Sequence, residues 1–173
     1  MIETEIKKKV TLTEFMDLTE VHVELIDGCI VNEPAPTYGH QVIIGDIFLE
    51  VATQLKKNKL GKIVVAPVDV VLGEQVVQPD LVFISNARLN IIKNGRLSES
   101  PEVVFEITSP SNAFKDTKVK FDIYEQFGVK EYFIVYPDDK TVVKYVLTEG
   151  KFREQYREIG FVKSEVMGCE VNF

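Results

Sequence analysis

The sequence predicts an α/β (α+β) domain with a mixed β-sheet flanked by helices. Helical and strand periodicities alternate in the order helix, hairpin, long helix, strands, strand, helix, strands. The helix between the strands around Val104 and Phe133 has the length that a crossover between parallel neighbours needs. At 173 residues, without an internal repeat or a linker, the chain is most simply one domain that spans 1–173.

The N-terminal part is predicted to form a short helix and a β-hairpin. Thr11-Leu12-Thr13-Glu14 has the pattern of a capping box, which would open a helix running to about Leu18. Residues 21–26 alternate as a strand, Asp27-Gly28 is a strong turn signal, and Cys29–Asn32 returns. A lone acid such as Glu24 on the first strand is, by itself, expected to be solvated.

A long helix is predicted over Tyr38–Asn58, and Gly61 is expected to end the helical region. Its apolar arc consists of Ile43, Ile44, Ile47, Phe48, Val51 and Leu55. His40 projects onto the middle of this arc in the first turn. A satisfied core or capping histidine is the more common outcome at such a position, and a functional contact is the alternative.

Three strands are predicted next, over 63–66, 68–72 and 76–84. Pro79 lies inside the last of them, and because proline cannot donate to a sheet ladder it marks an edge strand or a bulge. Asp80 follows at the entry to an apolar run. Taken alone, Asp80 is as easily a turn or cap residue as a functional acid. A long polar loop is predicted to follow before the next strand, and such loops are often functional or mobile.

An acid lies inside the next predicted strand, which covers residues 103–108. β-branched and aromatic residues dominate this strand, and Ser109-Pro110 ends it. Because an uncompensated carboxylate is costly to bury, Glu106 should have a cation, a hydrogen-bonding partner or a shifted pKa.

A helix is predicted over residues 113–127, after this strand. Its apolar arc consists of Phe114, Thr117, Phe121, Ile123, Tyr124 and Phe127. Lys120 falls inside the arc and Asp116 beside it, whereas Lys115 and Lys118 fall on the opposite, exposed face. One interpretation is a buried Asp116–Lys120 pair at i,i+4. The other is that an acid and a lysine converge on one site.

Strands are predicted to complete the chain. Gly128 should cap the helix, and Glu131–Tyr136, residues 141–147 and residues 151–157 should be strands. A final strand is predicted near 160–173.

Composition and charge limit the possible functions. The formal net charge of -7 argues against broad, non-specific nucleic-acid binding, although a local basic patch is compatible with it. Cys29 and Cys169, with no CxxC and few histidines, make neither a zinc site nor a disulfide framework. We therefore expect the protein to reside in a reducing cytoplasm. The first residues lack the pattern of a signal peptide, and no apolar run is long enough for a membrane span.

Several short motifs carry a resemblance that covers nearly the whole chain. They are, in order, Val23-Glu24-Leu25-Ile26-Asp27-Gly28, His40 in the long helix, Pro79-Asp80-Leu81-Val82-Phe83, Pro101-Glu102-Val103-Val104-Phe105-Glu106-Ile107-Thr108-Ser109-Pro110-Ser111, Asp116 with Lys120 and Tyr124, and Gly128-Val129 with Glu131-Tyr132-Phe133. In this order they resemble the PD-(D/E)XK nuclease superfamily, and more specifically the Uma-type putative restriction endonuclease family. The resemblance is more specific for family membership than for an activity.

The resemblance implies a restriction-endonuclease-like core and a Mg²⁺-dependent endonuclease that hydrolyses DNA with a metal-activated water. The superfamily's lysine two residues after the acid is absent, since Thr108 stands there. The Uma-type family carries its lysine on the following helix, and Lys120 matches that position. Asp80, Glu106 and the backbone carbonyl of Ile107 would supply the oxygen ligands that Mg²⁺ (or Mn²⁺) prefers.

The remaining roles are implied in the same way. Lys120 would stabilise charge on the phosphate or orient the attacking water. Glu24 resembles the extra acid that some of these nucleases place at the edge of the site. His40 is expected to contact a phosphate or to position Glu24, and Asp116 is a candidate substrate contact. DNA is the expected partner, a membrane is not, and a homodimer follows only by analogy with double-strand cutters.

Two further functions remain open. One is a nuclease-fold protein that binds nucleic acid or a protein partner without cutting, which the acidic net charge favours. The other is a metal-dependent hydrolase of some other phosphoester. The intact set of Asp80, Glu106 and Lys120 favours an enzyme.

Overall fold

The computed structural model describes residues 9–18, 22–109 and 114–173. Three predictions concern residues outside these ranges: the absence of a signal peptide in the first five residues, the start of a strand at Val21 and the start of a helix at Ala113. Within them, no helix has both the length and the apolar character that a membrane crossing requires.

The described residues form three α-helices and fourteen β-strands. In chain order these are α1 Leu12–Met16, β1 Val23–Ile26, β2 Cys29–Asn32, α2 Tyr38–Asn58, β3 Gly61–Val65, β4 Val70–Leu72, β5 Gln75–Val77, β6 Leu81–Ser85, β7 Ile92–Lys93, β8 Arg96–Leu97, β9 Val103–Ile107, α3 Lys120–Gln126, β10 Glu131–Tyr136, β11 Thr141–Thr148, β12 Lys151–Ile159, β13 Phe161–Ser164 and β14 Cys169–Asn172. A 3-10 helix, Asn86–Ile91, and a π-helical turn, Lys115–Val119, complete them.

The central sheet contains six strands in the order β12-β11-β10-β9-β6-β3. Strands β9 and β10 are parallel and the other pairs are antiparallel, so the sheet is mixed, as predicted. The chain segment that contains α3 makes the parallel crossover between β9 and β10. Alternate strand residues face opposite sides: Phe105 and Phe133 pack with α2, whereas Val104 and Tyr132 pack with α3.

A second six-stranded sheet, in the order β2-β1-β5-β4-β8-β7, corrects the expectation of one sheet. The predicted strand over 76–84 is in fact two strands, β5 and β6, which belong to different sheets. The break falls around Pro79, which has no N–H for a ladder. Beside it, the Gln78 N–H donates to a Glu24 carboxylate oxygen at 2.7 Å, and the chain passes from one sheet to the other at this point.

Helix α2 has the predicted bounds and buries the predicted arc on the central sheet. Its end differs from the prediction, because Lys59 adopts the left-handed conformation (φ 54°) and caps the helix. Gly61 instead begins β3. A Cβ at this position would lie 2.3 Å from the Ile84 carbonyl oxygen, so the close approach of β3 to β6 requires glycine.

The segment before α3 departs from a regular helix, because Lys115–Val119 form a π-helical turn. A π turn closes i→i+5 hydrogen bonds and therefore shifts the angular position of the residues before it. Lys120 is buried, as the periodicity predicts, but Phe114 is 73% exposed and Thr117 is exposed as well. The predicted apolar arc is thus correct for the residues from Lys120 onward and wrong for Phe114 and Thr117, which precede Lys120.

Two other segments differ from their predictions. The residues after β6 form the 3-10 helix and the β7–β8 hairpin rather than a structureless loop. The C-terminal part is a hairpin of β13 and β14 rather than one strand, and it packs against α2. By contrast, the Thr11 capping box and the turn at Asp27-Gly28, with φ of 50° and 73°, are as predicted.

Candidate active site

A pocket of about 470 Å³ lies where β6, β9, α2 and the segment leading into α3 meet. Six of the seven candidate residues of the sequence line it, namely His40, Asp80, Glu106, Ile107, Asp116 and Lys120. The antiparallel register pairs Leu81 with Phe105, so its continuation sets Asp80 opposite Glu106. The sheet therefore brings these two acids together although 25 residues separate them along the chain.

Glu106 is buried on the face of the central sheet that α3 covers. Its Oε1 accepts hydrogen bonds from Lys120 Nζ at 3.0 Å and from the Tyr124 hydroxyl at 2.7 Å. Burial raises the pKa of Glu106 well above its usual range, and repulsion from neighbouring acids adds to this, while Lys120 only partly compensates. The expectation that Glu106 has a cation, a hydrogen-bonding partner or a shifted pKa is confirmed.

Lys120 is 2% exposed and lies between two acids from different sheets. Its Nζ is 2.8 Å from Glu24 Oε1 and 3.0 Å from Glu106 Oε1. Burial alone would lower the pKa of Lys120, but the attraction of these carboxylates outweighs burial and raises it. Asp116 is not among the ion-pair partners of Lys120 in the described part of the chain, so the i,i+4 pair is wrong.

Glu24 is fully buried, which corrects the expectation of a solvated side chain. Strand β1 is covered on both faces, and Glu24 shares with Ile26 the face that points toward α3. Its carboxylate accepts from the Gln78 N–H at 2.7 Å and lies 3.1 Å from Lys115 Nζ. Burial would raise the pKa of Glu24, but Lys120, Lys115 and this N–H outweigh it and lower the pKa. Glu24 does not line the pocket but lies behind Lys120.

Asp80 is held from two sides. Its Oδ2 accepts the Ile107 N–H at 2.7 Å and lies 3.2 Å from His40 Nε2. Burial would lower the pKa of His40, yet contact with Asp80 outweighs burial and raises it. His40 therefore lies beside Asp80. The predicted role in which His40 positions Glu24 would have required it to lie beside Glu24 instead. The His40 Nδ1 is buried and has no hydrogen-bond partner among the described residues.

Asp116 is buried on the π turn and lines the pocket. Its pKa is raised to about 6 because burial and repulsion from Asp80 and Glu24 exceed the attraction of the two nearby lysines. Its backbone carbonyl accepts the Tyr132 hydroxyl at 2.8 Å, which ties the π turn to β10. At neutral pH the Asp116 carboxylate is therefore mostly ionised, and its ionisation costs folding free energy.

Lys115 and Glu33 belong to the same charge network, and the periodicity did not indicate either of them. Lys115 was predicted on an exposed helix face, but its Nζ forms ion pairs with Glu24 and Glu33. The π turn rotates Lys115 away from the position that a regular helix would give it. Lys118, by contrast, is exposed as predicted and pairs with Asp122.

Acids outnumber cations around the pocket. The network contains five carboxylates against two lysines, so its net charge is about −3 if all seven groups are ionised; its members are Glu24, Glu33, Asp80, Glu106, Asp116, Lys115 and Lys120. Across residues 9–18, 22–109 and 114–173, no three His, Cys, Asp or Glu side chains are arranged as a metal cage. Mg²⁺ does not need one, because it uses one or two carboxylates and keeps several waters.

The donor set is compatible with such a cation. Asp80, Glu106 and Ile107 border one pocket, and the described hydrogen bonds engage only Oδ2 of Asp80 and Oε1 of Glu106. As far as the described residues go, the second oxygen of each carboxylate is therefore available to a ligand. A divalent cation would also reduce the repulsion that raises the pKa of Glu106.

Comparisons with known proteins agree with this fold. A family model described as Uma2, putative restriction endonuclease, matches residues 12–168. A crystal structure described as a putative nuclease belonging to DUF820 from Anabaena variabilis ATCC 29413 has a TM-score of 0.79 to this chain, with 20% sequence identity and coverage of 94% of both chains. No curated protein matches the chain. The predicted fold class, α+β with a mixed sheet and flanking helices, is confirmed.

Proposed function

The chain belongs to the Uma2 family, described as putative restriction endonucleases, and on this premise we propose that it is a metal-dependent endonuclease that hydrolyses DNA phosphodiester bonds. The observation that carries the proposal is that two carboxylates, Asp80 and Glu106, each with an available oxygen, line the same pocket as the buried Lys120. Each of these buried charges costs several kcal/mol to desolvate, and a cation and a phosphate bound in the pocket would offset part of this cost.

In this proposal Asp80, Glu106 and the Ile107 carbonyl hold Mg²⁺ or Mn²⁺. The bound ion would supply polarisation of the phosphate and a water of lowered pKa. The contacts of Asp80 with the Ile107 N–H and His40 support this role, because they fix one oxygen and leave the other for a ligand.

Lys120 is proposed to stabilise the negative charge that develops on the phosphate. An ammonium has three N–H donors, and Glu24 and Glu106 occupy two of them. The third is available to the pocket that Lys120 borders. Glu24 is then a positioning residue, because it holds the ammonium from the side away from the pocket. A preorganised donor of this kind typically contributes about 10²-fold or more to the rate.

Asp116 is proposed to accept a proton or to contact the substrate. Its carboxylate borders the pocket, and its pKa of about 6 is near the range in which a side chain exchanges protons efficiently at neutral pH. His40 is proposed to hold Asp80 and to face the phosphate through the pocket that both border.

The test is incubation of the pure protein with supercoiled, linear and single-stranded DNA in Mg²⁺ or Mn²⁺. We expect cleavage of at least one substrate, its loss on chelation, and its loss in Glu106→Gln. Cleavage that survives chelation would refute the proposed metal dependence. Cleavage that Glu106→Gln leaves unchanged would refute the proposed active site.

A second candidate function is a nuclease-fold protein that binds a partner without cutting. The negative charge of the chain and of the pocket favours this function, and a protein as the partner, because both repel a phosphate backbone. Binding of DNA or of a protein without cleavage under any of the conditions above would establish this alternative. Residence in the cytoplasm and a homodimer both stay predictions.

A further inference from the structure

The pocket has two chemically different walls. One is the wall of carboxylates and Lys120 described above. The other wall is apolar and comes from the loop before α2, from α2 itself and from the residues after β3. It adjoins the acids at Ala66, whose N–H donates to the Asp80 carbonyl oxygen at 2.9 Å. Its residues include Pro34, Ala35, Pro36, Ile44, Ala66 and Pro67. Hydrolysis of a phosphodiester needs the first wall but not the second, so the apolar wall calls for a separate explanation.

The charged groups lie at the bottom of the pocket and not on an open surface. Glu106, Lys120 and Asp116 are each no more than 3% exposed. In a double helix each phosphodiester is flanked on its strand by stacked, paired nucleotides. The pocket volume of about 470 Å³ is that of a site for one small molecule and does not admit a duplex segment. Groups enclosed in this way favour a phosphate whose nucleotide has left the stack over one that is held within a duplex.

We propose that the pocket binds one unpaired nucleotide, with its base against the apolar wall and its phosphate toward Asp80, Glu106 and Lys120. The substrate class is then single-stranded or locally unpaired DNA. This inference rests on the proposed nuclease function and makes it more specific. An extruded base loses stacking and pairing, a cost that is least where the strand is already single, and contact with apolar side chains offsets part of it.

The first measurement compares cleavage of one labelled oligonucleotide in three forms, in Mg²⁺ and in Mn²⁺. The forms are the single strand, its full duplex, and the same duplex with a gap of a few nucleotides in the opposite strand. We expect the single strand to be cut at least about tenfold faster than the duplex, and the gapped duplex to be cut within the gap. A duplex cut as fast as the single strand would overturn the inference while leaving the nuclease function in place.

The second measurement uses binding and does not depend on cleavage. Ala35 is an exposed residue of the apolar wall, and Ala87 is an exposed alanine outside the pocket. Fluorescence anisotropy of a labelled oligothymidylate in Ca²⁺ would compare Ala35→Trp with Ala87→Trp, after circular dichroism has established that both variants fold. We expect Ala35→Trp to weaken binding by about tenfold or more, the scale of one lost base contact, and Ala87→Trp to leave it unchanged.

The two measurements separate the inference from the function on which it rests. If neither metal supports cleavage but Ala35→Trp alone weakens single-strand binding, the nuclease function fails and the assignment of the pocket stands. If Ala35→Trp and Ala87→Trp bind the single strand equally well, the assignment of the pocket fails, whatever the cleavage assays show.

Discussion

The Nζ of Lys120 lies 2.8 Å from Oε1 of Glu24, a residue of the other sheet. Glu106 approaches the same ammonium from the central sheet at 3.0 Å. Helix α3 lies between the two sheets, and both direct an acid at its one inward lysine. Lys120 thereby links the two sheets and at the same time faces the pocket. Unfolding measurements report its contribution to folding, and cleavage rates per folded molecule report its contribution to chemistry.

Lys120→Met should destabilise the protein by about 3–5 kcal/mol, because it leaves the buried Glu106 without its cation and leaves Glu24 with Lys115 alone. Adding Glu24→Gln to this variant should recover part of the loss, since a buried carboxylate that has lost one of its two cations is then removed. Urea unfolding of the two single variants and the double variant measures the coupling between the residues. The exposed pair Lys118 and Asp122 is the control, and its coupling should not exceed about 0.5 kcal/mol. Additive effects at Lys120 and Glu24 would contradict the ion pair.

The folded fraction of Lys120→Met should cut DNA about 10² times more slowly or worse, because a preorganised contact to the phosphate is lost. Lys144 is the matched control: it is also fully buried and paired with acids, namely Glu131 and Glu165, but it lies outside the pocket. Lys144→Met should lose stability and keep the wild-type rate per folded molecule. Equal rate losses in both variants would show that Lys120 acts only through folding.

Mg²⁺ or Mn²⁺ should raise the thermal unfolding midpoint, because an ion that binds only the native state stabilises it. The gain would be about 2.7 kcal/mol at a free concentration 100 times the dissociation constant. Glu106→Gln should abolish most of this gain by removing a ligand charge. Glu131→Gln, at a buried glutamate outside the pocket, should keep it. Calorimetry that detects no divalent binding at millimolar concentration would rule out the proposed metal site.

Asp116 should make the metal-free protein less stable as pH rises. Its folded pKa of about 6 is above the ordinary value of 3.8, so its proton is held more tightly in the native state. The stability that the protonated Asp116 contributes is fully present below pH 3.8 and is lost as pH rises through 6. Asp116→Asn should therefore be more stable than the wild type at pH 7 by about 1–3 kcal/mol, and no more stable near pH 3.5.

Urea unfolding in a chelator between pH 3.5 and 8 checks this prediction for Asp116. The informative quantity is the difference in unfolding free energy between Asp116→Asn and the wild type at each pH, since the other titrating groups largely cancel in it. A difference that does not change across this range would mean that the carboxylate is not destabilised by its surroundings.

Local sequence patterns determined most elements and part of the site. The 3.6-residue period predicted α2 at its observed bounds, and strong turn residues predicted the β1–β2 hairpin. The same period predicted that Lys120 is buried, and the apolar run around Glu106 predicted a buried acid. These features depend only on which face of a helix or strand a residue occupies, and the spacing of apolar residues along the sequence indicates the buried face.

Only the tertiary structure decided which charges meet. Glu24 is an ordinary acid on a short strand until the fold buries both faces of β1 and places the acid against α3. Lys115 is an ordinary exposed lysine until the π turn rotates it to Glu24 and Glu33. The split at Pro79 into strands of two sheets is likewise a matter of pairing. The physical reason is that ion pairs and strand pairings join residues distant in the chain, and no local period records the partner.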